Sequence, residues 1–155
     1  MNVAKILKIN SVSHLDPLSP LQINPSQTVG EAVALMREKG VGSVLVCQGP
    51  VLQGIFTERD LMRRVLAAGK PLSMPVSHCM TPNPETVGLK VSIAAAVRQM
   101  ERGGYRHLPV VDEVGRPISM VTVKRIMSYL AEHFPSIICN QPPDPDAVPL
   151  EREGA

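Results

Sequence analysis

One short polar stretch, Thr57-Glu58-Arg59-Asp60, combines residue types that can either cap a helix or bind a nucleotide. It follows the apolar segment Gly54-Ile55-Phe56 and precedes an amphipathic stretch, so it stands where a strand ends and a helix begins. Thr57 and Asp60 have the spacing of a capping box, a motif that satisfies free backbone N–H groups. A helix N-terminus also favours anions, and a carboxylate beside it can accept hydrogen bonds from two ribose hydroxyls. Both interpretations stay open on the sequence.

Three basic side chains in the second half of the chain are candidates for phosphate binding. Arg106 and His107 precede an apolar strand, and Lys124 follows Thr122 at the start of another helix. A solvated strand end explains either Arg106 or His107 alone. Two adjacent polar groups capping a buried strand modestly raise the odds of an anion site.

Catalytic and metal-binding motifs are missing from the sequence. It contains no GxSxG, GxGxxG, P-loop or HExxH pattern, and its four histidines have no partners at recognised spacings. His78-Cys79 lacks the second ligand pair that a tetrahedral zinc site requires. The three cysteines form no CxxC pair, which suits a reducing compartment. The sequence therefore favours a binding protein over an enzyme, and no metal is expected.

Composition limits the class of partner. The chain has 155 residues, 44% of them hydrophobic, which is enough for a real core. A net charge of +2 with only 3% aromatic residues argues against a nucleic-acid surface. Lys5 and Lys8 interrupt the apolar residues at the start, and no later run has membrane-spanning length, so we expect a cytoplasmic protein without membrane partners.

The elements that position these side chains occur twice. Val33 and Met36 are matched by Val97 and Met100, an offset of 64 positions. Only two copies are present, so duplication of a small domain explains the repeat better than a stacked array. Apolar periods and turn residues predict the order β-α-β-β-α in each copy. The predicted strands are Leu21–Ile23, Val44–Val46 and Ile55–Phe56 in the first copy, and Glu85–Val87, Leu108–Val111 and Met120–Val121 in the second; Gly40 and Gly104 end the first helix of each copy.

The strings GVGSVLV, GIFTERDLMRRV, HCMTPNPETV and GYRHLPVVDEVGRP resemble a tandem pair of cystathionine-β-synthase (CBS) domains. The resemblance implies an α/β (α+β) fold in which two βαββα units pack sheet to sheet with pseudo-twofold symmetry. We place the CBS units at 15–76 and 77–136, after an N-terminal segment, 1–14, that could form a short helix. Residues 137–155 are rich in proline, and we expect them to form a disordered tail.

The resemblance also implies a ligand: clefts between CBS repeats often hold AMP, ADP, ATP or S-adenosylmethionine. The Thr and Asp of the TxxD motif would meet phosphate and ribose, while the other repeat would supply strand backbone to the base and cations to the phosphate. The first cleft is then predicted to contain Ile55, Thr57, Asp60, Pro84, Glu85, Arg106, His107, Pro109 and Lys124.

The second cleft departs from the family pattern. Arg125 stands at the acidic position, and arginine cannot accept a hydrogen bond from a ribose hydroxyl. Ser119 also replaces the expected glycine. We therefore expect one working site per chain, with a weaker second cleft made of Pro20, Leu21, Gly42, Ser43, Arg59, Met120 and Thr122.

The expected function is a non-catalytic regulatory module that binds an adenine nucleotide, needs no obligatory cofactor, and signals through a dimer or a partner protein in trans. The alternatives are a ligand-free interaction or oligomerisation scaffold and a sensor of S-adenosylmethionine or NADH. A homodimer is expected because the second helix of each copy would expose an apolar face, formed by Leu61, Val65, Ile126 and Leu130.

Overall fold

The computed structural model describes residues 2–16 and 19–133, so the predicted tail lies outside the described residues. Its helices are α1 (Val3–Ile9), α2 (Val29–Lys39), α3 (Glu58–Asp60, continued by a π-helical stretch Leu61–Leu66), α4 (Ile93–Gly103) and α5 (Val123–His133), with short 3-10 helices at Val12–Leu15 and Val76–His78. Its strands are β1 (Gln22–Ile23), β2 (Ser43–Gln48), β3 (Val51–Thr57), β4 (Thr81–Pro82), β5 (His107–Val111) and β6 (Pro117–Thr122).

The first sheet has the strand order β1-β2-β3-β4. The β1 strand is parallel to β2, and the other pairs are antiparallel, with Leu45 opposite Ile55. Residues Ser43 to Cys47 of β2 are all buried, as expected for an apolar strand covered on both faces. The start of β2 therefore holds Ser43 beside Thr57 at the end of β3.

The second sheet is the antiparallel hairpin β5-β6, in which His107 lies opposite Thr122. The strand predicted at Glu85–Val87 is reduced to one residue: Val87 forms a single parallel bridge with Val110. The chain just before Val87 pairs with the other sheet instead, because Thr81 and Pro82 form β4 on the edge of the first sheet. This prediction was too long by two residues.

Glycines end α2 and α4 as predicted. Gly40 and Gly104 have φ values of 65° and 70°, a left-handed conformation that side chains disfavour. The helix after Thr57 differs from the expectation of a regular amphipathic α-helix, because Leu61–Leu66 is π-helical. Such π-helical turns widen the backbone locally and occur mostly as single turns inside α-helices.

Each repeat is completed by the segment that precedes the other repeat. Val12 and Leu15, ahead of the first repeat, are buried in the second repeat's core. The N–H of Val12 donates to the carbonyl of Val91 at 2.8 Å. In the same way, Val76 and Cys79, ahead of the second repeat, are buried in the first repeat's core. The two repeats therefore share their cores through exchanged segments.

A third, smaller cluster joins the two sheets. Leu45, Cys47 and Ile55 of the first sheet are buried, and Met120 of the second hairpin packs against them. The mixed α/β architecture with two sheets packed on one another is the fold class expected from the sequence.

The exposed apolar positions of α3 and α5 differ from those expected. Val65 and Ile126 are 0% and 6% exposed because they face the cores of their own repeats. The apolar residues that these helices expose are instead Met62, Leu66 and Met127, which are 61%, 54% and 64% exposed. The prediction placed the correct helices outside but chose the wrong stripe of each. Within 2–16 and 19–133, no helix is long and apolar enough to cross a membrane.

Candidate ligand cleft between the repeats

A cleft of about 1310 Å³ opens between the two repeats. Its volume exceeds the roughly 300 to 1,000 Å³ that encloses most small-molecule ligands. The cleft is lined from both repeats by Pro20, Leu21, Val33, Met36, Gly42, Ser43 and Leu61 on the first-repeat side, and by Arg106, His107, Met120, Thr122, Lys124, Arg125 and Met127 on the second-repeat side.

The basic wall of the cleft is set by the β5-β6 hairpin. Pairing of His107 with Thr122 brings the start of β5 beside the end of β6, where α5 begins. The N–H of Val123 donates to the carbonyl of Arg106 at 3.2 Å and holds these two backbones together. Arg106, His107 and Lys124 consequently line one cavity, although the sequence separates Lys124 from Arg106 by most of a hairpin.

The facing wall is built from the corresponding positions of the first repeat. The N–H of Glu58 donates to the carbonyl of Gly42 at 3.1 Å, the counterpart of the Val123 to Arg106 contact. The Glu58 carboxyl lies 3.3 Å from where a Cβ on Gly42 would stand, so a side chain there would push Glu58 aside. Glycine at position 42 thus keeps a carboxylate at the cleft opposite the cations.

His107 is neutral near pH 7. Burial lowers its pKa below the ordinary value, Glu58 acts to raise it, and Arg106 lowers it further. The burial effect is the largest of these. His107 therefore offers a hydrogen-bonding ring at pH 7 and becomes a third positive charge beside Arg106 and Lys124 when it is protonated.

Arg125 lines the cleft but is tied to the N-terminal segment. Its Nε donates to the carbonyl of Leu15 at 2.7 Å, and its Nη2 lies 3.4 Å from Asp16. Its own backbone N–H donates to Thr122 Oγ1 at 3.0 Å. Arg125 thus fastens the exchanged segment to α5 at the position where the family pattern has an acid.

Thr57 and Asp60 form the capping box that their spacing predicts. Asp60 Oδ2 accepts from the Thr57 N–H and hydroxyl at 3.0 and 3.1 Å. Asp60 Oδ1 accepts from the Thr81 hydroxyl at 2.9 Å and lies 3.4 Å from Arg64 Nε. An ionised carboxylate has about four acceptor positions, and internal donors fill them here. A ribose hydroxyl would have to displace Thr81 or Arg64 to reach Asp60.

Glu85 and Arg59 also have internal partners. The Tyr105 hydroxyl donates to the Glu85 carboxylate. Burial, with a further contribution from Glu85, raises the pKa of Tyr105 to about 12. Arg59, expected in the second cleft, donates to the carbonyl of Gly104 at 2.6 Å. The sequence analysis did not select Tyr105. Aromatic residues are rare in this chain, so one beside Arg106 could have indicated a site.

The basic residues thus fall in a different group from the one expected. Arg106, His107 and Lys124, which we assigned to the first cleft, line the same cavity as the residues assigned to the second. From the second set, Pro20, Leu21, Gly42, Ser43, Met120 and Thr122 are present, and Arg59 is not. From the first set, Ile55, Thr57, Asp60, Pro84, Glu85 and Pro109 do not line it.

Four charged lining residues were missed from the sequence. Asp16 and Glu58 add carboxylates, while Arg37 and Lys39 add cations from the last turn of α2. Basic residues in a last helical turn ordinarily complement the helix dipole, so their sequence position gives no separate signal of a cleft. As for metals, no group of three or more His, Cys, Asp or Glu side chains suited to an ion occurs among residues 2–16 and 19–133.

Comparison with known proteins identifies this architecture. A family model described as the CBS domain matches residues 3–67 and 76–132. A CBS domain-containing protein of Arabidopsis thaliana is 36% identical over 105 residues, covering 67% of this chain and 19% of that protein. The chain spans a fifth or less of the length of the first curated relatives that it matches.

Solved structures share the fold. The crystal structure of a CBS-domain containing protein from Agrobacterium tumefaciens superimposes with a TM-score of 0.69 at 28% identity, covering 76% of this chain and 96% of that one. A CBS domain protein from Pyrobaculum aerophilum complexed with AMP has a TM-score of 0.71 at 21% identity, covering 79% and 96%. Since the family model matches both repeats, the chain belongs to the CBS-domain family.

Proposed function

We propose that this protein is a non-catalytic regulatory module that binds an adenine nucleotide in the cleft between its two CBS repeats. The observation that carries the proposal is the convergence of Arg106, His107 and Lys124 on one cavity between the repeats. Three potential donors to phosphate lie on a single wall, and within 2–16 and 19–133 none of them makes an ion pair.

The rest of the cleft suits the uncharged parts of a nucleotide. Val33, Met36, Leu61 and Met120 supply apolar surface for the faces of a base. Ser43 and Thr122 supply hydroxyl groups at the start of β2 and at the end of β6. The AMP complex of the P. aerophilum protein, which shares this fold, supports an adenine ligand.

Binding between the repeats gives a route to regulation. A ligand that contacts both walls stabilises one relative arrangement of the repeats, and any partner that prefers that arrangement binds more tightly. Such a partner, or a second copy of the chain, would bind the surface formed by the exposed residues Met62, Leu66 and Met127. We propose a homodimer through this surface.

The cleft expected around Thr57 and Asp60 stays a prediction, distinct from the open cleft with Arg106. Its proposed ligand residues are Thr57, Asp60, Pro84, Glu85 and the neighbouring Ile55 and Pro109. Occupancy there requires Asp60 to exchange an internal donor for a ribose hydroxyl, so the cleft with Arg106 is the better candidate. We accordingly propose one nucleotide per chain.

Isothermal titration with AMP, ADP, ATP, S-adenosylmethionine and NADH tests the proposal, with Arg106→Gln as the variant. Arg106 is exposed and its side chain makes no ion pair within 2–16 and 19–133, so the variant should fold normally. Losing one charge-assisted contact should weaken binding about tenfold or more. Arg98→Gln, on an exposed residue outside the cleft, is the matched control.

The alternative is a ligand-free scaffold in which Thr57 and Asp60 serve only as a helix cap. The saturated Asp60 carboxylate favours that view of the TERD stretch, but it leaves the cations of the open cleft without a role. No binding of any of the five ligands at millimolar concentration would decide for the scaffold. Turnover of a nucleotide by pure protein would overturn the non-catalytic assignment.

A further inference from the structure

We propose that Arg37 and Lys39 form a second cationic group that binds the outer phosphates of the ligand and selects nucleoside di- and triphosphates over monophosphates. This inference rests on the proposed function, because it assumes that a nucleotide occupies the same cleft. It assigns a specificity role to two residues in the last turn of α2.

The charge balance of the cleft is the first argument. Among the residues that the structure describes, five Arg or Lys residues line it, against two carboxylates. Its excess of three positive charges is larger than the net charge of +2 carried by the whole chain. A low-dielectric cavity with one dominant sign attracts ligands of the opposite sign. A ligand with several phosphate charges matches this cleft better than a monophosphate, and a sulfonium cation matches it poorly.

The arrangement of the cations is the second argument. Arg106, Lys124 and Arg125 come from the second repeat, whereas Arg37 and Lys39 come from the end of α2 in the first repeat. Arg125 is already bound to Leu15 and Asp16. A single phosphate cannot use cations on both repeats as fully as a phosphate chain that extends from one to the other.

Arg37 and Lys39 have no ion-pair partner within 2–16 and 19–133. Both are exposed, and Glu38 between them does not line the cleft. The simpler explanation for basic residues in this turn is interaction with the helix dipole. That explanation applies equally to Arg102, an exposed residue in the last turn of α4 that does not line the cleft.

Arg102 therefore supplies the matched control. The test compares dissociation constants for AMP and ATP in the wild-type protein, in the double variant Arg37→Gln/Lys39→Gln, and in Arg102→Gln. Inorganic tripolyphosphate is titrated separately, as a probe that has no base or ribose. Melting temperatures of all three proteins are measured to confirm that folding is preserved.

The wild-type protein should bind ATP about tenfold more tightly than AMP, because each exposed charge contact supplies a fraction of the energy of a buried one. The double variant should lose most of that preference and bind AMP within about twofold of wild type, whereas Arg102→Gln should keep the preference. Tripolyphosphate should bind the wild type and lose affinity in the double variant. Raising the salt should reduce the preference, because exposed charges are screened.

The outcomes separate this inference from the proposed function. Equal affinity for AMP and ATP, or an ATP preference that survives in the double variant, would overturn the role of Arg37 and Lys39 while leaving nucleotide binding intact. Loss of preference in Arg102→Gln as well would show a general charge effect and would also overturn it. If neither nucleotide binds, the proposed function fails and this inference fails with it.

Discussion

Replacing Asp60 by Asn should destabilise the folded protein without weakening nucleotide binding in the open cleft. The carboxylate is buried, with a side chain only 8% exposed, and it accepts hydrogen bonds from Thr57 and Thr81. Asparagine keeps only one acceptor oxygen. Its amide NH2 group takes the place of the other oxygen and faces Thr57 in one orientation, or Thr81 together with Arg64 in the other. The substitution therefore loses at least one charge-assisted interaction and turns a donor towards another donor.

The magnitude follows from the contacts that are lost. A hydrogen bond to a charged group contributes about 1.5 to 3 kcal/mol, and the Arg64 side of the network is half exposed and adds little. We expect a loss of about 2 kcal/mol in the free energy of unfolding. For a domain of this size each kcal/mol shifts the melting temperature by roughly 4 °C, so a decrease of about 8 °C is expected.

Thermal unfolding by circular dichroism measures the stability, and titration of the folded variant with ATP measures the affinity. Thr81→Val provides the matched comparison, because it removes one donor to Asp60 and leaves the carboxylate charged. If Asp60 binds ribose, Thr81→Val frees an acceptor and should strengthen binding. An unchanged melting temperature in Asp60→Asn, together with a tenfold or greater loss of affinity, would refute our reasoning and make Asp60 a ligand-binding residue.

Three further predictions concern pH, assembly and stoichiometry. Because burial lowers the pKa of His107, the folded protein takes up this proton less readily than the unfolded chain. The free energy of unfolding is therefore highest above the ordinary histidine pKa of about 6.5 and decreases as the pH falls below it. Chemical unfolding at pH 7.5 and 5.5 should show a smaller decrease in this free energy for His107→Gln than for the wild-type protein. Light scattering should give a dimer of the 16.8 kDa chain at micromolar concentration, and Met62→Lys combined with Met127→Lys should shift it towards monomer; a wild-type monomer would contradict the proposed interface. Titration should give one nucleotide per chain, and two equal sites would show that the internal hydrogen bonds of Asp60 do not keep a ligand out of the other cleft.

The repeated fold was predictable because its signals are local and occur twice. The capping box of Thr57 and Asp60 requires only two residues at a fixed spacing, and the structure has it. Gly40 and Gly104 likewise end helices because glycine adopts the left-handed backbone conformation without steric cost. The short pairing at Val87 was not predictable from its own residues, because it depends on β4 having joined the other sheet.

The grouping of the cleft residues was harder to predict than their identity. Arg106, His107 and Lys124 were correctly placed at strand and helix ends by pattern alone. Which cavity they share depends on how two sheets pack, and no local spacing encodes that arrangement. The outward-facing stripes of α3 and α5 were also missed, because the core of each repeat already buries the apolar face that contains Val65 or Ile126.

The exchange of segments between the repeats has a consequence for how the chain can be divided. A fragment that ends after α3 would lack Val76 and Cys79, and a fragment that begins at β4 would lack Val12 and Leu15. Each fragment would expose apolar surface that the intact chain buries, so neither half should be soluble when expressed alone. Mixing the two fragments would not restore the first repeat's core, because Val76 and Cys79 belong to neither of them. The smallest piece that can fold is therefore the pair, and the two repeats should unfold in a single transition.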